Sequence, residues 1–309
     1  MIDGAYSRIG DRGGGIFARE NGIPIANPMQ TAVSQPSVSG DSVSWYGALR
    51  THWVEYVIEA GALGSFMISA CVFGVLLEHP NSPLHQFLGK STLLRRALMG
   101  VAMGLTAISV IYSSWGQRSG AHMNPSVTLT FLMLGKIRVW DAVFYVLFQF
   151  AGGIAGVLFA KLLIGLPLQL ASINYVATVP GAGGPRVALL AEFAISLLLM
   201  STILAVSNSR SLSRFTPLFA GALVATFITL EAPISGMSMN PARTIGSAFS
   251  AGQWTALWVY FTGPLSGMLL AGALYRFRQG AHAVFCAKLH HCNNQPCIFR
   301  CRFGELHAQ

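Results

Sequence analysis

Charge is what this sequence lacks most. Asp, Glu, Lys and Arg make up 10% of its 309 residues, where a water-soluble domain carries about 25%. That shortage excludes a surface solvated all round. Acids are scarcer still, with eleven Asp and Glu in the whole chain. Beyond the first turn or so of the long apolar stretches, only Glu59 and Glu192 carry a carboxylate. Two such acids do not make the charged ring of an ion channel, nor the midplane ion-coupling set that a secondary transporter usually needs. No nucleophile, base and orienting group stand together, so an enzyme has least support. The Lys and Arg residues behind the net charge of +9 are scattered without interleaved aromatics, which excludes nucleic acid as a partner. Residues 1–50, rich in Gly, Ser, Pro and Asn, lack the basic start, apolar run and small-residue site of a signal peptide. They read as a disordered cytoplasmic tail, with insertion directed by the first membrane helix.

What is present is hydrophobic length. Apolar residues make up 53% of the chain and mean hydropathy is +0.54. About 20 apolar residues cross a 30 Å hydrocarbon core as helix. Six stretches approach that length: Trp53–Leu77, Ala97–Ser114, Val139–Leu163, Val187–Ser207, Phe215–Leu230 and Thr255–Tyr275. With both termini cytoplasmic, thirteen Lys and Arg fall inside and four outside, namely Lys90, Arg95, Arg96 and Arg186. This asymmetry obeys the positive-inside rule. The expectation is an integral multi-pass protein of the cell membrane, with the lipid bilayer as its solvent.

Two stretches between these spans repeat: "SGAHMNPS" at residues 119–126 and "SGMSMNPA" at 235–242. Each precedes an apolar run too short to cross a bilayer. Asn is among the best N-cap residues and Pro is preset for the first helical position, so Asn124-Pro125-Ser126 and Asn240-Pro241-Ala242 each open a half-helix. Three spans separate the copies, so the half-helices enter from opposite faces. The expected fold is an all-α membrane protein of six transmembrane helices plus two re-entrant half-helices in an inverted repeat. The channel domain covers 51–277, with halves at about 51–165 and 186–277. Glu59 and Glu192 sit early in the first helix of each half and are assigned structural support, accepting from the irregular backbone before each half-helix. Gly100 with Gly104, Gly152 with Gly156 and Gly263 with Gly267 are spaced for close helix packing.

Residues 119–128, the intact "NPAR" of 240–243, Gln149 in "FQFAGG" and Gly263-Pro264 in "FTGPLSG" resemble the aquaporin or major intrinsic protein family, with Ser126 where the family usually has Ala. The resemblance implies a passive channel for water and some small neutral solutes such as urea, ammonia or glycerol, excluding protons and ions. It also implies a homotetramer. Two half-helix N-termini would place positive dipole ends at the pore centre, and the Asn124 and Asn240 amides would donate to a passing water. Arg243 matches the arginine of the family's outer constriction. Counting from the asparagines places Gly104, Ile228 and Met237 with it as the selectivity filter. A one-residue shift would put Met103 in place of Gly104. Gly104 and Ile228 would leave the opening wider and less polar than in a strict water channel, whereas Thr244, Ala248, Tyr260 and Phe261 resemble the water-type frame. His122 and Arg118 would lie near the cytoplasmic entrance, as solvated vestibule groups.

Cys71 falls inside the first span. Cys286, Cys292, Cys297 and Cys301 crowd residues 278–309 beside His290 and His291. That company invites zinc, yet the spacing fits no named finger. The expectation is a reduced, disordered cytoplasmic tail, dispensable for conduction, with no metal and no cofactor.

Overall fold

The computed structural model describes residues 44–280 and 282–308. The expected tail at 1–50 therefore lies outside the described residues except for its last seven. Those seven are not tail. Helix α1 runs Trp45–Glu78, capped where the Ser44 hydroxyl accepts from the Gly47 N–H at 3.1 Å. Its 34 residues extend about 51 Å at 1.5 Å per residue, so its first turns stand clear of a 30 Å core. After the short α2 (Pro83–Leu88) come α3 (Thr92–Tyr112), α4 (Ser114–Ser119), the half-helix α5 (Pro125–Met133) and α6 (Val139–Ile164). The second half repeats the pattern with α7 (Gly184–Ser207), α8 (Thr216–Leu230), α9 (Ala232–Ser235), the half-helix α10 (Pro241–Ala251) and α11 (Leu257–Gln279). A last short helix, α12 (Phe303–Ala308), ends the tail. Six of these helices are long and apolar enough to cross a membrane.

Packing expresses the repeat. The first helix of each half lies on the third, α1 on α6 and α7 on α11, while α3 and α8 face each other across the halves. The half-helices cross over: α10 packs on α6 and α5 on α11. Glycine permits these approaches. Gly152 and Gly156 lie directly on the backbone of Ala60 and Gly64, leaving no room for a Cβ. Large apolar side chains such as Leu105, Leu147, Leu162 and Leu190 point outward. Lipid gives that exposure no cost.

The tail does not follow the expectation. Residues 282–302 contain no helix or strand, yet Val284, Cys286, Ala287, Lys288 and Leu289 are all buried. Leu289 N–H donates to Gly120 O at 3.2 Å, Phe285 N–H to the Asn208 side chain at 2.8 Å, and Arg300 N–H to Lys136 O at 3.0 Å. The segment is fixed to the loops of the bundle's tail-bearing face. Its composition gave no period to read, because its order comes from contacts distant in the chain.

Candidate functional site

Each half-helix opens as local chemistry dictates. Asn124 has extended backbone and its Oδ1 accepts from Ser126 N–H at 2.8 Å; Asn240 Oδ1 accepts from Ala242 and Arg243 N–H at 3.0 and 3.2 Å. Pro125 and Pro241 follow at the first helical position, where no N–H is missed. The chain before each Asn is contorted in the same way. Gly120 and Gly236 are left-handed, as are Ala121, Met123, Met237 and Met239, with φ of 49° to 54°. Left-handed backbone costs an ordinary residue about 1–2 kcal/mol, so something must hold it.

Two buried carboxylates do. Glu59 accepts from Ser119 Oγ (2.7 Å), His122 N–H (3.0 Å), Met123 N–H (2.7 Å) and Gln149 Nε2 (2.9 Å). Glu192 accepts from Ser235 Oγ (2.6 Å), Ser238 N–H (2.7 Å) and Met239 N–H (2.7 Å). Bonds to a charged acceptor contribute about 1.5–3 kcal/mol each, enough together to offset the several kcal/mol of burying a carboxylate. Tyr145 and Tyr260 clamp the turns from above, donating to Ser119 O at 2.6 Å and Ser235 O at 2.5 Å.

The asparagines are bound to each other's loops. Asn124 Nδ2 donates to Met239 O and Asn240 Nδ2 to Met123 O, both at 2.7 Å. One hydrogen of each amide is therefore engaged across the midplane, and one remains for a molecule in the pore. Asn124 and Asn240 line a single cavity of about 380 Å³ that passes between the half-helix N-termini. Toward the face opposite the tail it is lined by Ile228, Met237 and Arg243, whose Nη1 is buried with no hydrogen-bond partner. Gly104 does not reach it. A Cβ there would lie 2.6 Å from Gly221 O, which fixes Gly104 at the α3–α8 contact. Met103 lines the cavity in its place. Adjacent residues of a helix point about 100° apart, so with Gly104 turned to Gly221 it is Met103 that faces the cavity.

Toward the tail face the cavity ends at Ala121, His122 and Leu289. His122 is not a solvated vestibule group. It is 3% exposed, with Nδ1 at 3.1 Å from Thr128 Oγ1 and Nε2 at 2.8 Å from Ala287 O, and its ring stacks between Phe131 and Phe299. Arg118 pairs with Glu55 at 2.8 Å. Thr128, Tyr145, Leu289 and Phe299 join the site without having been singled out in the sequence. Extending the repeat to Ser-Gly-x-x-Met-Asn-Pro-x-x-Thr would have found Thr128 and Thr244; no pattern signals the other three.

Two broken helices that meet at one cavity in an inverted repeat define a membrane-embedded fold of the kind that builds a passage or a transport site. The major intrinsic protein family model matches residues 50–275. The chain belongs to that family. Aquaporin TIP4-4 of Zea mays is 32% identical over 231 residues, covering 69% of this chain and 90% of the relative. Aquaporin NIP1-4 of Oryza sativa subsp. japonica is 35% identical over 55% of this chain. Against that rice protein and two Arabidopsis thaliana relatives, the chain spans about three fifths of the relative's length. The solved aquaglyceroporin from Plasmodium falciparum shares the fold, with a TM-score of 0.61 at 18% identity over 73% of this chain and 96% of that one.

Proposed function

We propose that this protein is a passive channel for water that also admits small neutral solutes, in the cell membrane, with both termini cytoplasmic and four copies assembled. The observation that carries this reading is the cavity between two capped half-helix N-termini, each with one free amide hydrogen. Each N-terminus is equivalent to about half a positive charge, and Arg243 adds a full one on the same wall. Cations are repelled. A water accepting from both asparagines cannot also hold its place in a proton-conducting chain. The rival reading, a secondary transporter, needs carboxylates free to bind and release an ion, whereas Glu59 and Glu192 are committed to the loops.

Met103, Ile228, Met237 and Arg243 form the filter in this reading. Met103 restores bulk that Gly104 would have removed, but methionine is flexible and apolar. Three apolar walls and one guanidinium favour small uncharged molecules without a strict preference for water. Stopped-flow light scattering on proteoliposomes decides it. Rapid water flux with slower, non-saturating entry of urea, ammonia or glycerol and no ion current is expected. Saturating, ion-dependent uptake would establish the carrier instead.

A further inference from the structure

Four side chains of the tail converge although the chain between them has no regular structure. Cys286 Sγ, a His291 ring nitrogen, Cys297 Sγ and Cys301 Sγ all lie within 4.8 Å of one another. Cys286 and Cys297 sulfurs are 3.6 Å apart, and Cys301 Sγ is 3.0 Å from His291 Nε2. A tetrahedral zinc site with Zn–S near 2.3 Å and Zn–N near 2.0–2.1 Å places sulfurs about 3.8 Å from each other and about 3.5 Å from the nitrogen. The Cys286–Cys297 spacing falls close to the sulfur–sulfur edge, and Cys301 lies about 0.5 Å nearer His291 than the sulfur–nitrogen edge.

We propose that Cys286, His291, Cys297 and Cys301 bind one thiophilic divalent cation of the zinc class, and that this ion locks the tail over the inner mouth of the pore. The surroundings suit such a centre. Three thiolates, an imidazole and a divalent ion carry one net negative charge, and the buried Lys288 stands within electrostatic reach of all three cysteines. Its Nζ also donates to Gln295 O and Pro296 O, shaping the turn that presents Cys297. Phe303 N–H donates to Cys301 Sγ at 3.4 Å, and the Phe303 ring stacks on His291 at 4.4 Å. Outer contacts of this kind orient metal ligands. A segment of this length without helix or strand is uncommon in a compact domain, and one ion joining residues 286 to 301 adds a cross-link to the contacts that already seat it.

The same residues tie the metal centre to the pore. Leu289, which caps the cavity, lies two residues before His291, and Phe299, stacked on His122, lies two before Cys301. Release of the ion frees Leu289 and, with it, the Phe299 ring that holds His122. The metal site stands on the tail alone, while its effect on flux rests on the channel reading.

The full chain, purified under reducing conditions and loaded with zinc, should hold one ion per chain by elemental analysis. Cobalt(II) should give the visible absorption of a tetrahedral thiolate site. Cys301→Ser and His291→Asn should lose both signals, whereas Cys292→Ser, whose sulfur is exposed and outside the cluster, should keep them. Absence of bound zinc or cobalt, retention of the ion by both ligand variants, or a Cys286–Cys297 disulfide in the reduced preparation would overturn the site. Wild-type protein stripped by a chelator, with no substitution, guards against variants that misfold. In proteoliposomes, stripping should raise water flux about tenfold, within the usual range of coupling between two sites, zinc should reverse it, and Cys301→Ser should ignore both treatments. Falling metal content with unchanged flux would overturn the lock and keep the site. If neither stripped wild type nor Cys301→Ser passes water, the channel reading itself fails, whatever the metal measurements give.

Discussion

Around the first repeated loop, Glu59 gathers the Ser119 hydroxyl and the N–H groups of His122 and Met123; around the second, Glu192 gathers the Ser235 hydroxyl and the N–H groups of Ser238 and Met239. The residues that hold backbone are duplicated almost atom for atom. Those that face the passage are not. Three residues after each asparagine the first half has Val127 and the second Arg243, and two residues before it the first has His122 and the second Ser238. Both loops enter a bilayer with orphan N–H groups, so both need the same acceptors. The two ends of the passage do not share that constraint, so nothing holds their linings alike. The tail completes the asymmetry by seating Ala287, Leu289 and Phe299 on the first loop alone.

The largest expected effect tests the duplicated part. Asn124→Asp and Asn240→Asp each replace a donor by an acceptor facing the opposite loop's carbonyl at 2.7 Å. Leaving a buried charge without a partner costs about 3–5 kcal/mol. Both variants should insert normally and show water flux near that of empty liposomes. Collapse of one with wild-type flux in the other would break the equivalence of the halves.

A second pair sharpens it. Glu59 holds four donors and Glu192 three, so a glutamine loses more at the first site. Glu59→Gln should lower the melting temperature in detergent more than Glu192→Gln, with losses of about 3–5 and 2–4 kcal/mol from charge-assisted bonds. Equal losses would mean that Gln149 adds nothing to the first cluster.

Ile228→His probes the part that differs. Ile228 lines the cavity with Met237 and Arg243. A histidine there narrows the passage and adds a donor suited to water. It should reduce urea and glycerol entry several-fold more than water entry in the same vesicles. An unchanged ratio would remove Ile228 from the filter.

How far all this was legible follows from the range of the forces involved. The half-helices were readable because capping by Asn124 and Asn240 and the fixed φ of Pro125 and Pro241 act within a few residues. The carboxylates were readable because lipid makes any acid beyond a helix end conspicuous. Gly104 and Met103 could not be told apart by a count along the chain, because packing decides which of two adjacent residues faces the cavity, here the contact of Gly104 with Gly221. The start of α1 at Trp45 was hidden because polar residues such as Arg50, Thr51 and His52 lower the hydropathy of turns that lie beyond the lipid. The tail's order depends on Gly120, His122 and Lys136, more than 140 residues earlier.

A smaller effect concerns the end of the second half away from the tail. Burial pushes the Glu231 carboxyl up to about 8 from an ordinary value near 4.5, with the Glu192 charge adding to it. Both of its oxygens lack hydrogen-bond partners, since Ser235 Oγ donates to Glu192. The folded chain thus keeps a proton there that the unfolded chain releases, so this group's contribution is present at acid pH and lost as pH rises from about 4.5 through about 8. The wild-type melting temperature should fall over that range, and Glu231→Gln should flatten the fall. Parallel curves would show that Glu231 does not titrate there.

The smallest effect separates the two half-helix starts. Ser126 and Ala242 occupy equivalent positions and both are fully buried, but the Ser126 hydroxyl has no partner. Its backbone is already used, with the N–H donating to Asn124 Oδ1 and the carbonyl accepting from Thr130 Oγ1 at 2.8 Å. The hydroxyl therefore adds a desolvation cost and no bond. An unsatisfied buried polar group costs about 1–3 kcal/mol, and the second half shows that a methyl group fits the same corner. Ser126→Ala should raise stability by roughly 1 kcal/mol, a melting shift of about 2–4 °C for a domain of this size, with flux unchanged. Ala242→Ser, the reciprocal exchange, should lower it by a similar amount. If Ser126→Ala lowers the melting temperature instead, the hydroxyl has a partner such as a bound water, and the first half-helix is held by one more bond than the second.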